Sequence, residues 1–178
     1  MTIAKPGISV LHFRKQLTGT PVAVNPPGIE VRHFAAPGDV PAWLVLRDLA
    51  MANERPRARP WTTADFHAEM TGKPWWRADH SWVAVSHERG DGSNALVGAV
   101  TLAVRSGRDG DVAVVHWLLV DPAWRRRGVA RLLMAQLELA AWNADWREVQ
   151  LETHAGWSAA VAFYQSIGYA VLRDRVPR

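Results

Sequence analysis

Residues 112 to 142 turn the chain sharply through a cluster of charge. Val112-Ala113-Val114-Val115-His116-Trp117-Leu118-Leu119-Val120 is an apolar run with one histidine, the pattern of a buried strand. Asp121-Pro122-Ala123-Trp124 ends it as a turn. Arg125-Arg126-Arg127-Gly128 follows. From Val129 to Trp142 apolar residues then recur at 129, 130, 133, 134, 137, 140 and 141, which is helical spacing. A strand, a tight turn and a helix in this order put a helix N-terminus at the carboxyl end of the strand. That terminus presents unpaired N–H groups and a partial positive charge. Gly128 has no side chain to block a ligand, and arginines pair well with phosphate oxygens. Basic residues at a helix start oppose the helix dipole by about 0.3–1 kcal/mol each, a conflict that a bound anion removes. The segment therefore reads as a pyrophosphate seat, against the alternative of a solvated basic first turn.

Arg125-x-x-Gly128-x-Ala130 resembles the (Gln/Arg)-x-x-Gly-x-(Gly/Ala) acyl-CoA motif of the GCN5-related N-acetyltransferases, the GNAT family. Farther along, Ala160-Val161-Ala162-Phe163-Tyr164-Gln165-Ser166-Ile167-Gly168-Tyr169 resembles that family's A-x-x-F-Y-x-x-x-G-(F/Y) helix and exit. The resemblance covers residues 95 to 174. It implies a mixed α/β fold: a mostly antiparallel central sheet, flanking helices and a splayed central strand pair. The pair is the strand ending at Val120 and the strand Arg147 to Thr153. Backbone left unpaired by such a splay needs partners, and the resemblance implies that the pantetheine amides supply them at Leu118, Leu119 and Val120. The implied cofactor seat is completed by Arg125, Arg126, Arg127, Gly128, Val129 and Ala130.

The remaining pattern fits this layout. Residues 1–28 read as an arm or an extra strand and a linker, ahead of a single domain at 29–178. Ile29 to Phe34 alternates as a strand. Asp39 is a candidate N-cap for a helix at Pro41 to Met51, and Thr62 or Thr63 for one through Met70, ended by Gly72. Ser81 to Ser86 and Ala95 to Val104 read as strands around a polar turn at His87 to Asn94. Ser106 to Gly110 is a further turn. Ser158 to Ile167 is a helix closed by Gly168, and Tyr169 to Leu172 a last strand.

Composition narrows the function. The 178 residues suit one domain with a substantial core, and 48% hydrophobic content is ordinary for a globule. No apolar stretch approaches the roughly 20 residues of a membrane span. The start lacks signal-peptide order, so the cytoplasm is the expected compartment. With no cysteine there is no disulfide, thiolate metal site or cysteine nucleophile. The net charge of +4 suits nucleic acid or a polyanionic small ligand. Its basic residues are scattered apart from Arg55 to Arg59 and Arg125 to Arg127, which disfavours nucleic acid. No metal site is expected.

Three residues are candidates for the chemistry. Ala160, Phe163, Tyr164 and Ile167 form one apolar helical stripe, so spacing alone makes Tyr164 a core aromatic. The resemblance implies that its hydroxyl protonates the departing coenzyme A thiolate. His116 is either a hydrogen-bonded core histidine or the base for an ammonium substrate. Strict alternation puts it on the same strand face as Leu118 and Val120. Arylalkylamine acetyltransferases resemble the chain here, with a histidine at this position. Glu152 on the neighbouring strand is the second candidate base. Trp157 departs from the family, many of whose members carry an asparagine seven residues before the tyrosine; packing of the indole on pantetheine is the alternative contact. Trp75, Trp76, Arg77 and Trp82 lie where the family builds its acceptor site, with Asp65, Glu69 and Asp79 as possible attractors of an amine. The implied function is acetyl transfer from acetyl-CoA to a primary amine by direct attack. A non-catalytic acyl-CoA sensor is the alternative. The implied partners are acetyl-CoA and an amine acceptor, with homodimerisation open.

Overall fold

The computed structural model describes residues 9–53, 59–88, 95–107 and 110–172. Its strands are β1 (Val10–Gln16), β2 (Ile29–His33), β3 (Ser81–Ser86), β4 (Ala95–Gly107), β5 (Gly110–Val120), β6 (Glu148–His154) and β7 (Ala170–Val171). Its α-helices are α1 (Val40–Met51), α2 (Thr63–Phe66), α3 (Val129–Asn143) and α4 (Ser158–Ser166). The strands form one sheet in the order β2-β3-β4-β5-β6-β1-β7. Every pair is antiparallel except β5 with β6. Among the described residues no helix is long and apolar enough to cross a membrane.

Each sheet face is covered by the helices whose apolar stripe fits it. On one face α3 buries Val129, Leu132, Leu133, Leu137 and Ala141, and α4 buries Tyr164. On the other, Trp43, Leu46 and Ala50 of α1 pack with Phe66 and Met70. Strand β3, second from the sheet edge, is buried along its length and reads as a near-continuous apolar run. In β6 the alternation is strict: Val149, Leu151 and Thr153 are buried, and Glu152 faces the other way, exposed. The second helical layer therefore stops short of β6 and β1, whose outer face is polar.

The strand Val10–Gln16 lies inside the sheet. It pairs with β6 from Val10↔His154 to Gln16↔Glu148, and with β7 at Phe13↔Val171 and Arg14↔Ala170. Lys15 crosses to α3, where its Nζ lies 2.8 Å from Glu138 Oε2, itself buried.

The centre of the sheet opens. β5 and β6 pair only at Ala113↔Val149 and Val114↔Gln150, then part. On its other edge β5 runs against β4 through Thr101↔His116 and resumes at Ala99↔Leu119. Two steps on β4 thus face three on β5, a β-bulge. Trp117 and Leu118 fall outside both ladders. Trp117 adopts φ 51, in the left-handed region that a bulky side chain rarely enters.

The bulge corrects the expectation for His116. Alternation would place it with Leu118 and Val120. The extra residue flips the parity, so Leu118 and Val120 pack with the α3/α4 side while Trp117 packs with the α1 side. His116 faces that second side, stacked on Trp75.

Three local details also differ. Asp39 stands at the N-cap of α1 but does not cap it. Its carboxylate accepts two hydrogen bonds from Arg32, at 2.6 and 2.8 Å, and one from the Ala35 N–H. The Arg32 hydrogen bonds hold its carboxyl below the usual range. Thr62 caps α2 in a reciprocal box with Asp65, but the α-helix ends at Phe66 and continues as a π-helical turn, His67–Thr71, closed at Gly72. Strand β4 runs on to Gly107 and β5 begins at Gly110, longer than their apolar cores suggest. The polar turn expected at His87 to Asn94 lies largely outside the described residues.

The Lys15–Glu138 pair sets a stability expectation. Lys15→Met leaves a buried carboxylate without its cation, which costs about 3–5 kcal/mol when a buried pair is broken. The low end applies because Lys15 keeps 24% exposure. Lys15→Met with Glu138→Leu removes both charges and should recover most of the loss, because apolar replacement of a whole pair is often near neutral. Urea unfolding of the single and double variants measures both.

Candidate active site

The opening between β5 and β6 leads into a cavity of about 940 Å³ on the α3/α4 side. Leu118, Leu119 and Val120 form its floor. Arg125, Arg126, Gly128, Val129 and Ala130 form one wall, and α4 with Trp157 and Tyr164 the other. The volume lies within the range of small-molecule sites.

The turn before α3 is built for backbone approach. Asp121 Oδ1 accepts from the Ala123 N–H at 2.9 Å and fixes the corner. Arg126 and Gly128 both have left-handed φ, 60 and 86. Such alternation turns successive N–H groups toward one side, a concavity that holds anions. Gly128 is required twice over: a side chain would be strained at its φ, and a Cβ would lie 3.1 Å from Pro26 Cγ.

The three arginines divide their work. Arg125 lines the cavity and donates to the Ala50 carbonyl at the end of α1, at 3.1 Å. Arg126 lines the cavity. The Arg127 side chain does not. It pairs with Glu88 at 2.9 and 3.0 Å and stacks 4.0 Å over Trp124. The side chain expected at the phosphates is held here by Glu88 and Trp124.

Trp157 precedes α4 and stacks on His154, ring centroids 5.6 Å apart. It lines the cavity, and its indole Nε1 is buried without a hydrogen-bond partner among the described residues. A buried donor without an acceptor is costly, and a ligand carbonyl or phosphate oxygen would satisfy it. Tyr164 is both core aromatic and cavity wall: 8% exposed, it packs on Phe13, Phe163 and Tyr169. Burial pushes its phenol above the ordinary value.

On the far side of the opening lies a second cavity of about 410 Å³. Trp75, Arg105, His116, Trp117 and Glu152 line it. The His116 ring stacks on Trp75 at 4.6 Å and 13°. Burial lowers its pKa below 6.5, against the opposing charge of Glu152. Glu152 itself is half exposed and sits 3.3 Å from His12 and 3.9 Å from Arg105. His116 and Glu152 thus line one cavity, and Tyr164 the other.

The other acidic candidates are already paired. Asp65 holds Arg59, Glu69 holds Lys73 and Asp79 holds Arg77. Trp82 belongs to the core and Trp76 packs edge-on to Phe34.

Sequence reading missed the group that fixes Trp117. The Arg47 guanidinium is buried, 4.3 Å over the Trp61 ring and 5.7 Å from Trp117. Trp43 and Trp61 meet Trp117 edge-on at 5.9 and 4.8 Å. One signal was present: Arg47 interrupts the apolar face Trp43, Leu46, Ala50 of α1, where a charge needs a partner.

Residues 43–169 match the model of the acetyltransferase (GNAT) family. Mycothiol acetyltransferase of Mycobacterium sp. (strain MCS) is 30% identical over 166 residues, covering 91% of this chain and 52% of that protein. The chain thus spans about half the length of the mycothiol acetyltransferases it matches. Among solved structures, a GCN5-related N-acetyltransferase from Sphaerobacter thermophilus superposes with a TM-score of 0.67 at 21% identity, over 92% of this chain and 48% of that one. AAC(6')-Iy in complex with a CoA-containing bisubstrate analogue gives 0.58 at 22% identity, over 84% and 97%. These likenesses are of fold. With the family model spanning the strand opening, the Gly128 turn and Tyr164, the chain belongs to the GNAT acetyltransferase family.

Proposed function

We propose that the protein transfers an acetyl group from acetyl-CoA to a primary amine. The observation that carries this is the shared cavity: the open end of β5, the Gly128 turn and Tyr164 all line one space. In this reading the pyrophosphate sits on the N–H groups from Arg126 to Ala130, with Arg125 and Arg126 beside it. Pantetheine runs along Leu118 to Val120, and Trp157 Nε1 donates to a ligand oxygen. The thioester reaches the bulge at Trp117 and Leu118, where backbone outside both ladders can polarise its carbonyl oxygen.

The amine enters through the second cavity. Its lone pair attacks the thioester carbon, and the C–S bond breaks to give the amide and coenzyme A thiolate. The proton lost by the amine passes to His116, directly or through water, with Glu152 the second candidate base. Tyr164 donates to the sulfur. Burial keeps its hydroxyl protonated across the working pH range, so a donor is always present as thiolate charge develops. The rest of the rate comes from positioning two substrates at one opening.

Three outcomes are expected. Gly128→Val should abolish measurable acetyl-CoA binding in calorimetry, and Arg126→Ala should weaken it by about 1.5–3 kcal/mol, the worth of a charged hydrogen bond. Full affinity in both folded variants would remove the pyrophosphate assignment. Arg127→Ala should affect stability more than affinity.

Tyr164→Phe keeps the ring and its packing. Its turnover should fall about 10²–10⁴-fold, the usual worth of a general acid, with acetyl-CoA affinity kept. Release of free thiol measures the first and calorimetry the second. Undiminished turnover would return Tyr164 to a purely structural role.

His116 must be neutral to act as base, and burial favours its neutral form. The rate should therefore rise with pH to a plateau, through an ionisation below the ordinary histidine value. His116→Gln should lower the plateau and remove that limb. A limb that tracks the acceptor's own pKa and survives His116→Gln would shift the role to Glu152 or water.

A further inference from the structure

The second cavity also carries information on the acceptor, an inference that rests on the transferase reading above. Beyond Trp75 the covering helices end, and the outer faces of β6 and β1 lie open. Charges on this floor cancel in pairs. Glu152 is shared between His12 at 3.3 Å and Arg105 at 3.9 Å. Glu148 faces Arg14 at 3.9 Å and accepts hydrogen bonds from Gln16 and from Gln150 at 2.7 Å. Carboxylates on the covering elements are matched in the same way: Asp48 by Arg47, Asp65 by Arg59, Asp79 by Arg77. Among the described residues that line the cavity, Glu152 is the one carboxylate and Arg105 the one guanidinium.

A polycationic acceptor needs a carboxylate for each ammonium it brings against this floor. Here it would find one carboxylate, already shared, and a fixed positive charge beside it. Like charges brought together select against a ligand even where water screens them in part. We propose that the acceptor is a monoamine, its single ammonium drawn to Glu152 and the rest of the molecule neutral or anionic, with any anionic group directed at Arg105. The likeness to AAC(6')-Iy, solved with an acetylneamine-containing analogue, is then one of fold and not of acceptor charge.

Three amines on the same four-carbon chain isolate this point: butylamine, 4-aminobutyrate and putrescine. Initial rates are measured with the full chain and saturating acetyl-CoA, and putrescine is corrected for its two equivalent amines. Butylamine and 4-aminobutyrate should each exceed putrescine in kcat/KM by about two- to fivefold, the scale of one unfavourable contact between exposed charges. Arg105→Glu should invert the order of 4-aminobutyrate and putrescine. Arg105→Gln, which keeps a polar partner for Gln150, should narrow the gap without inverting it. A wild-type preference for putrescine, or an order that Arg105→Glu leaves unchanged, overturns the proposal. Should none of the three be acetylated, calorimetry with coenzyme A bound gives the ranking: the same order of affinity supports it, and no binding or tightest binding of putrescine overturns it. Loss of acetyl-CoA binding itself would instead be a failure of the transferase reading, so the two are separable.

Discussion

A single surplus residue in β5 decides which of its side chains face each side of the sheet. Without the bulge at Trp117, β5 would pair evenly with β4, and His116 would face the same side as Leu118 and Val120. With it, one strand lines two cavities: Leu118 and Val120 face the α3/α4 side, His116 and Trp117 the other. The parting of β5 from β6 after Val114 makes the passage between them. In the proposed transfer, two substrates would approach one point from opposite faces of a sheet.

A left-handed tryptophan costs about 1–3 kcal/mol and persists only where its surroundings hold it. Here the holding is aromatic and cationic. Trp43, Trp61 and the buried Arg47 guanidinium surround the Trp117 ring. A cation over an aromatic face gains more when both are away from water, and Arg47 Nη1 also donates to the Asp48 carboxylate and the Arg59 carbonyl. Helix α1 also receives Arg125 at the Ala50 carbonyl, so one helix braces the bulge and the turn before α3 together.

The sequence disclosed periodicity and chemistry better than geometry. The Val112–Trp142 reversal was legible because Pro122 and Gly128 admit few backbone paths and the helical spacing after them is long. Tyr164 was legible through its neighbours in the Ala160–Tyr169 motif. The bulge was not. Nothing in Val114-Val115-His116-Trp117-Leu118 marks an insertion relative to β4, because a bulge is a property of a strand pair and alternation is a property of one strand. The contacts of Arg127 were hidden for a similar reason. Its charge is plain in the sequence, but its partner Glu88 lies 39 residues away. Asp39 stands where a cap belongs, and Arg32 takes its carboxylate from the helix.

The position of β1 has a consequence for how the chain comes together. It is the first strand described, yet its partners β6 and β7 lie at the far end of the chain. During synthesis its hydrogen-bonding edges must wait until β6 and β7 have emerged, and such long-range pairing is slow to form. In the interval β1 offers unpaired edges of the kind that invite pairing with another molecule. Its charged residues, Arg14 and Lys15 among them, oppose that encounter before the native partners arrive.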